Sequence, residues 1–166
     1  MTTDKVYLVG FMGAGKSTVA RALARRLHWQ AEDIDDLIAA REHRDIPTIF
    51  RQDGEPYFRA VERQVLADLL PRRGVVVATG GGTFVDLASR ALMLRDGLVA
   101  WLDVPLQKII DRVPLDGRRP LAADRAEMER LYNLRLAAYQ QAHVRVEASR
   151  GPVDAVVDQL VEWLRT

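Results

Sequence analysis

Short apolar runs alternate with amphipathic stretches along the whole chain. The runs suit strands that are buried on both faces, and the stretches between them carry apolar residues at helical spacing. The predicted strands lie at residues 6–9, near 31–35, and at 74–78, 98–102 and 144–147. Strands that alternate with helices predict an α/β fold of three layers, with a five-stranded parallel sheet flanked by helices.

Helices are predicted between these strands from apolar residues that recur every three or four positions. They lie at residues 45–50, 55–70, 105–112 and 124–141, with another that ends at Gly97 and a last one that begins at Pro152. In the helix before Gly97, the spacing predicts that Leu87, Ala91 and Leu94 face the core. Residues 113–125 hold prolines, a glycine and charges without periodicity, so we expect a mobile lid there.

A glycine-rich loop follows the first predicted strand and opens the first helix. Its sequence, Gly-Phe-Met-Gly-Ala-Gly-Lys-Ser over residues 10–17, matches the phosphate-binding P-loop pattern G-x-x-x-x-G-K-[ST]. Glycines let the backbone curl round an anion, and the helix N-terminus adds a favourable dipole. Lys16 supplies a positive charge for the β- and γ-phosphates, and Ser17 a hydroxyl for Mg²⁺. The motif predicts nucleotide binding; the alternative is a plain glycine-rich turn.

Composition narrows the class of protein. With 166 residues, 48% hydrophobic and 28% charged, the chain suits one globular domain over residues 1–166. It has no cysteine, and its three histidines are scattered, so neither a disulfide nor a histidine metal site is indicated. The net charge of +1 does not itself argue for or against nucleic acid. No apolar run approaches the roughly 18 residues of a membrane span, so we expect a cytoplasmic protein without a membrane partner. We expect small-molecule substrates and no nucleic-acid partner.

Two aspartates mark the end of the second predicted strand, before a helix expected near Asp36. Asp33 and Asp35 alternate across that strand end, so their side chains should diverge, one toward the metal and the other toward a second substrate. The alternative is an N-cap, for which Asp36 alone would suffice.

Arginines and glycines supply further candidates. Arg135 falls within the apolar stripe of its helix, where a guanidinium must be paired or face a polar cavity; the alternative is that it snorkels to solvent. Arg59 precedes Glu62 by three residues, which fits a steadied carboxylate clamp or a surface pair. Three consecutive glycines, 80–82, indicate that a ligand approaches the backbone closely. Arg118 and Arg119 in the loop suit charges that swing over phosphates, or a solvated turn.

Taken together, these residues resemble the shikimate kinase family over nearly the whole chain. The resemblance includes the P-loop, Asp33-x-Asp35, Ile49 to Glu62 with Gly54-Glu55 and Phe58-Arg59, the glycine triplet, Arg119-Pro120-Leu121 and Arg135-x-x-x-Tyr139. It departs at Ala78, where the family often has serine, and at Ala137, where proline is usual.

The resemblance implies transfer of the ATP γ-phosphoryl group to the 3-hydroxyl of shikimate, in aromatic amino-acid biosynthesis, with Mg²⁺ as cofactor. We expect the chain to be a monomer. It implies catalytic roles for Lys16, Asp35 and Arg119, and metal binding by Ser17 and Asp33. The implied ATP-binding residues are Gly13, Ala14, Gly15, Lys16, Ser17, Thr18, Arg112, Arg119 and Arg150. The implied substrate-binding residues are Asp35, Arg59, Gly80, Gly81, Gly82 and Arg135. Of these, Asp35 and Arg59 lie in the expected substrate-binding region of about 33–62.

Two other functions are consistent with a P-loop. Another small-metabolite kinase, such as one of the gluconate kinase type, would share the loop and the lid but would not need two arginines facing Asp35. A nucleotide-binding regulatory domain that no longer transfers phosphate would be expected to lose Lys16, Asp35 or Arg119, and all three are present.

Overall fold

Five parallel strands form one sheet. The computed structural model of the chain describes residues 3–112 and 122–166. The strands are β1 (Lys5–Val9), β2 (Gln30–Asp33), β3 (Val75–Ala78), β4 (Leu98–Asp103) and β5 (Val144–Glu147). Neighbours pair in the order β2-β3-β1-β4-β5, and every pair is parallel. The predicted parallel α/β sheet is confirmed.

Helices connect the strands and cover the sheet. In the described residues they are α1 (Lys16–Leu27), α2 (Ile34–Glu42), α3 (Ile46–Leu69), α4 (Leu87–Asp96), α5 (Leu106–Arg112), α6 (Ala122–Tyr139) and α7 (Val153–Arg165), with a 3₁₀ turn at Thr83–Val85. Helix α1 packs against α7 and lies over β2 and β3. None of the helices within residues 3–112 and 122–166 is both long enough and apolar enough to cross a bilayer.

Helix α3 is two helical segments joined at a sharp kink. Asp45 caps its start by accepting a hydrogen bond of 2.8 Å from the Thr48 backbone N–H, and Pro47 lies in the first turn, where no N–H is needed. Gly54 interrupts the helix with φ 81° and ψ 174°, a conformation open almost only to glycine. The predicted break at Gly54 is therefore confirmed, and it directs the second segment, which carries Arg59.

The sheet register brings the candidate site residues to one edge. Ala78 at the end of β3 is paired with Leu8 of β1 on one side and with Asp33 of β2 on the other. The P-loop leaves β1 and the glycine triplet leaves β3 at this carboxyl edge, where open α/β sheets bind ligands. The predicted convergence of loop, aspartates and glycines is confirmed.

The second helix begins earlier than expected, and this changes the geometry of the aspartates. Asp33 is the N-cap of α2 and accepts a hydrogen bond of 3.2 Å from the backbone N–H of Asp36, so the helix starts at Ile34. Asp35 therefore lies in a helical turn, and the argument from strand alternation was wrong. The cap is Asp33 itself, because its carboxylate lies at the point where the strand turns into the helix.

The buried face of α4 was predicted correctly only at Leu94, which is partly buried and packs against the core. Leu87 is 75% exposed and Ala91 is exposed, whereas Ser89 and Met93 are buried. Large apolar residues occupy several sides of this helix, so spacing alone does not select a face. The rotation is fixed at its start by Asp86, which accepts from the Ser89 backbone N–H at 3.1 Å.

The boundaries of the expected lid are only partly described. Helix α6 begins at Ala122, two residues before the predicted start at Asp124, so the last residues of the expected 113–125 loop are helical. Residues 113–121, with Arg118 and Arg119, lie outside the described part of the chain.

Candidate active site

The P-loop passes directly from β1 into α1. Gly15 is the N-cap of α1 with φ 93°, a left-handed conformation that a side chain would strain. The first backbone N–H groups of a helix have no intrahelical acceptors, so those of α1 are available to an anion in the loop. This is the local geometry that the loop sequence predicted.

Lys16 lies inside the loop that it follows. Its ammonium donates to the carbonyl oxygens of Gly10 and, at 3.3 Å, Phe11, and the residue is only 8% exposed. Burial lowers the pKa of Lys16 to about 8; nearby Asp35 opposes that shift, and Arg135 adds to it. Because the charges of Asp35 and Arg135 both act on the lysine, the three side chains face one cleft.

Ser17 and Asp33 form the candidate metal site. The Ser17 hydroxyl donates to Oδ2 of Asp33, which joins the first turn of α1 to the end of β2. Mg²⁺ prefers oxygen ligands and keeps several waters, so it commonly takes one or two protein oxygens together with phosphates. A hydroxyl beside a carboxylate fits that demand. Residues 3–112 and 122–166 contain no cluster of three or more His, Cys, Asp or Glu that could hold a metal ion.

Asp35 is half-buried on the first turn of α2. Burial raises the pKa of its carboxyl, and the charges of Asp33 and Glu62 raise it further, while Lys16 pulls in the opposite direction. A carboxylate whose ionised form is disfavoured, in a cleft beside a phosphate-binding lysine, is a candidate for proton transfer.

Arg135 extends from α6 across the cleft. Its guanidinium carbon lies 5.9 Å from the centroid of the Phe11 ring, and Tyr132 meets the same ring edge-on at 5.3 Å. Among the residues that the structure describes, no carboxylate forms an ion pair with Arg135. The positive charge is therefore held by aromatic packing and faces the cleft, where an anion would satisfy it.

Arg59 approaches the same cleft from α3. Its Nη1 is 2.8 Å from Oε1 of Glu62, which is 1% exposed, and its Nε is 3.5 Å from Oε1 of the exposed Glu55. The steadied-clamp interpretation is thus favoured over a surface pair, since Glu62 is buried. Arg59 itself is 18% exposed at its side chain, so it keeps access to the cleft.

Each glycine of the triplet faces one of these side chains. A Cβ on Gly80 would lie 3.0 Å from Oδ1 of Asp35, and one on Gly81 would lie 2.8 Å from Nη1 of Arg135. One on Gly82 would overlap Nη2 of Arg59. The three glycines let the aspartate and both arginines approach consecutive backbone positions closely. The triplet forms the floor on which the three side chains meet.

A separate cavity adjoins the outer side of the P-loop. It measures about 220 Å³ and is lined by Ala14, Gly15, Thr18, Val19, Arg112, Ala148, Gly151, Val153 and Val156. Its walls are largely apolar, which suits the flat face of a nucleobase. Arg112 reaches the loop, with its Nη1 3.4 Å from the Gly13 carbonyl oxygen. Arg150 is less engaged, because its side chain is 88% exposed and meets Glu147 only at 3.8 Å.

Sequence reasoning did not single out two residues of the cleft. Phe11, within the variable part of the P-loop, is 2% exposed and lies under Arg135. Thr83 is fully buried and binds Glu62 at 2.8 Å. An aromatic residue inside the loop and a hydroxyl directly after the triplet were the available signals. Tyr139, assigned only to an apolar stripe and the family pattern, donates to the Gly81 carbonyl oxygen at 2.6 Å.

The fold and the cleft together define a P-loop kinase. A phosphate-binding loop lies beside a metal-suited pair of oxygens, and a carboxylate and two arginines face it from the neighbouring strands and helices. Such a cleft combines the groups that phosphoryl transfer from a nucleoside triphosphate uses.

Comparison with known proteins gives the family. The family model for shikimate kinase matches residues 12–165. Shikimate kinase of Sulfurihydrogenibium sp. (strain YO3AOP1) is 40% identical over 161 residues, which cover 96% of this chain and 97% of the relative. The structure resembles those of shikimate kinase from Acinetobacter baumannii in complex with shikimate (TM-score 0.91, 32% identity, 99% and 94% of the two chains) and from Aquifex aeolicus (0.87, 34%, 97% and 96%).

The chain therefore belongs to the shikimate kinase family. This family consists of phosphotransferases that phosphorylate shikimate in aromatic amino-acid biosynthesis with ATP. The family, the fold and the class of activity predicted from the sequence are confirmed.

Proposed function

We propose that the cleft transfers the γ-phosphoryl group of ATP to the 3-hydroxyl of shikimate. The observation that carries the proposal is the glycine floor, where Asp35, Arg135 and Arg59 meet consecutive backbone positions. Asp35 and Arg135 also act electrostatically on Lys16. The cleft thus places side by side a carboxylate that suits hydroxyls, two arginines that suit a carboxylate, and a lysine that suits phosphates.

The two arginines bind the carboxylate of shikimate. Arg59 and Arg135 come from different helices, so they grip the acid from two directions and fix the position of the ring. Glycines 80–82 allow the ring to lie against the backbone. Positioning of this kind supplies much of the rate in phosphoryl transfer, because the transition state is loose and needs little covalent assistance.

Asp35 binds the ring hydroxyls at the opposite end. It accepts a hydrogen bond from the 3-hydroxyl and takes its proton as the oxygen bonds to phosphorus. The raised pKa of Asp35 favours this role, because a more basic carboxylate is a better proton acceptor.

The phosphate end is formed by α1 and its loop. Backbone N–H groups at 13–18 and the ammonium of Lys16 bind the phosphates, and Ser17 with Asp33 holds Mg²⁺. When bound, this ion neutralises charge on the β- and γ-phosphates. Arg112 borders the nucleotide cavity, and contributions of Arg150 and of Arg119 to ATP binding stay predictions.

The carboxylate clamp is the feature to test. In Arg135→Lys and Arg59→Lys, a charge remains but the planar fork is lost. We expect the KM for shikimate to rise about ten- to a hundredfold in each, with the KM for ATP changed much less, since a charged hydrogen bond is at stake. Coupled ADP-release kinetics measures both constants.

Arg130→Ala is the matched control for this test. Arg130 lies on α6 like Arg135, but it pairs with Glu127 in solvent at 2.7 Å, and we expect unchanged kinetics. Shikimate-independent ATP turnover in the wild-type protein, or wild-type shikimate KM in both lysine variants, would contradict the proposal.

Three finer expectations belong to the same proposal: the enzyme acts as a monomer, lies in the cytoplasm and requires Mg²⁺. Light scattering coupled to size-exclusion chromatography measures the oligomeric state, and cell fractionation measures the location. Titration of chelator-treated enzyme with MgCl₂ measures the metal requirement through restored ADP release.

A further inference from the structure

We infer that Thr83 is a positioning residue that orients Arg59, through Glu62, for the carboxylate of the acid substrate. Within residues 3–112 and 122–166 no hydrogen bond joins Thr83 to Arg59, and both bind Glu62. It follows the glycine triplet at the start of the 3₁₀ turn and is fully buried. The inference rests on the proposed role of Arg59 in the cleft.

The hydrogen bonds of Thr83 have only one possible direction. The backbone N–H of Gly80 can only donate, and it lies 3.0 Å from Oγ1 of Thr83. An ionised Glu62 carboxylate can only accept, and its Oε2 lies 2.8 Å from the same hydroxyl. The hydroxyl proton therefore points at Glu62, and the hydroxyl oxygen accepts the hydrogen bond from the Gly80 N–H.

Glu62 transmits this orientation to Arg59. One carboxylate oxygen accepts from Thr83, and the other accepts from Nη1 of Arg59 at 2.8 Å. With both oxygens engaged, the plane of the buried carboxylate is fixed, and so is the face it offers to the guanidinium. The other partner of Arg59, Glu55, is exposed and more distant at 3.5 Å, so it adds little directional constraint.

Through Gly80, the Thr83 hydroxyl also acts on the end of the cleft where Asp35 lies. Gly80 is the glycine whose Cβ position lies 3.0 Å from Asp35 Oδ1 and 3.3 Å from Thr83 Oγ1. Thr83 thus holds the turn against which Asp35 packs and the carboxylate that aims Arg59. One hydroxyl sets the spacing between the two groups that grip the substrate.

Thr83→Val removes the hydroxyl and keeps the shape of the side chain. It leaves the Gly80 N–H and one Glu62 oxygen without that partner in a buried site, which frees the carboxylate to rotate. We expect the Kd for shikimate, measured by titration calorimetry, to rise about tenfold or more, while the KM for ATP stays within about twofold. Thr83→Ser restores the hydroxyl and should return the Kd to the wild-type value.

A neighbouring threonine provides the matched control. Thr79 is also buried, and its hydroxyl donates to the Leu8 carbonyl oxygen at 2.8 Å instead of to a cleft residue. Thr79→Val should lower Tm yet leave the Kd for shikimate unchanged. A loss of Tm alone in Thr83→Val would therefore indicate a structural role only.

An uncharged analogue separates positioning of Arg59 from general loosening. The wild-type enzyme should prefer shikimate to its carboxamide because of the clamp, and Thr83→Val should reduce that preference about tenfold. A structural role alone would lower the active fraction without changing the preference. Thr83→Ala, measured in the same way, replaces the valine variant should that variant fail to fold.

The effects of Thr83→Val and Arg59→Lys should also be less than additive, because both act on the same contact. Full additivity, or a wild-type Kd and a wild-type preference in the valine and alanine variants, overturns the inference. Failure of the proposed function would look different, since the wild-type enzyme itself would then show no preference for the carboxylate.

Discussion

At the scale of single residues, the environment of Asp35 determines both its chemistry and its cost to the fold. Burial, with the charges of Asp33 and Glu62, disfavours the ionised carboxylate and raises the pKa, and Lys16 offsets this only in part. Asp35 is thus a stronger base than a solvated aspartate, but its ionised form destabilises the folded protein.

Asp35→Asn tests the base directly. We expect kcat to fall about 10²- to 10⁴-fold with little change in shikimate KM, because the amide keeps the shape but takes no proton. In the wild-type enzyme, kcat/KM should decline as the pH falls through the raised pKa, above the range of an ordinary aspartate. Asp36→Asn, one residue on and exposed, is the control with wild-type kcat. A rate loss of less than about tenfold in Asp35→Asn would point to positioning alone.

The same pKa shift gives the sign of a stability effect. Because the folded-state pKa of Asp35 exceeds its unfolded value, the folded state binds more protons between the two values, and stability falls as pH rises through that window. The penalty grows through that window and is fully present above the raised pKa. Asp35→Asn should therefore raise Tm at pH 7, and the gain should vanish below the ordinary aspartate pKa. A lower Tm at pH 7 would contradict the raised pKa.

At the scale of elements, the sequence predicts most where one physical effect dominates. The buried strands follow from their apolar runs. The two segments of α3 follow from helical spacing, and the break between them follows from Gly54. The rotation of α4 could not be predicted, because it is set by the cap at Asp86 and its bond to Arg63 at 2.6 Å, a contact that is distant in sequence.

The glycine triplet shows a different limit of sequence reasoning. Its location at the site was predicted, but from an expected close approach of ligand to backbone. The structure adds a cause that spacing does not reveal, since side chains from α2, α3 and α6 press against it. Likewise, the role of Thr83 depends on a partner 21 residues earlier, in another element.

The kink in α3 yields a prediction for the element that carries Arg59. Gly54→Ala places a Cβ on a residue with φ 81° and ψ 174°, which costs about 1–3 kcal/mol in unfolding free energy. Relief of that strain would turn the segment after the kink, so the KM for shikimate should rise as well. Urea unfolding and steady-state kinetics measure the two effects. Gln64→Ala, on an exposed face of the same helix, should change stability by less than about 0.5 kcal/mol. Equal stability of the Gly54→Ala and wild-type proteins would show that the kink is not strained by a side chain.

At the scale of the whole molecule, charge is buried at both edges of the sheet for different purposes. The carboxyl edge holds Lys16 and Asp35. At the amino edge, the fully buried Lys5 pairs with Asp96 at 2.7 Å and donates to the Leu69 carbonyl oxygen. Asp96 also accepts from Tyr7 and Arg73, each at 2.6 Å. This second cluster joins β1 to α3 and α4, and its Lys5 lies about 16 Å along β1 from Gly10, where the P-loop begins.

The separation of the edges predicts that stability and catalysis respond to different lysines. Lys5→Met keeps an unbranched chain but removes a buried cation from Asp96, so unfolding free energy should fall by about 1–3 kcal/mol, less than for an isolated buried pair, because Tyr7 and Arg73 remain. Arg73→Met should cost less, since Arg73 is 44% exposed. The kcat and both KM values should stay at wild-type level in each variant. A shift of the KM for shikimate or ATP in Lys5→Met at a temperature where the protein is folded would show that the two edges are coupled through β1, and that the carboxyl edge depends on more than its own contacts.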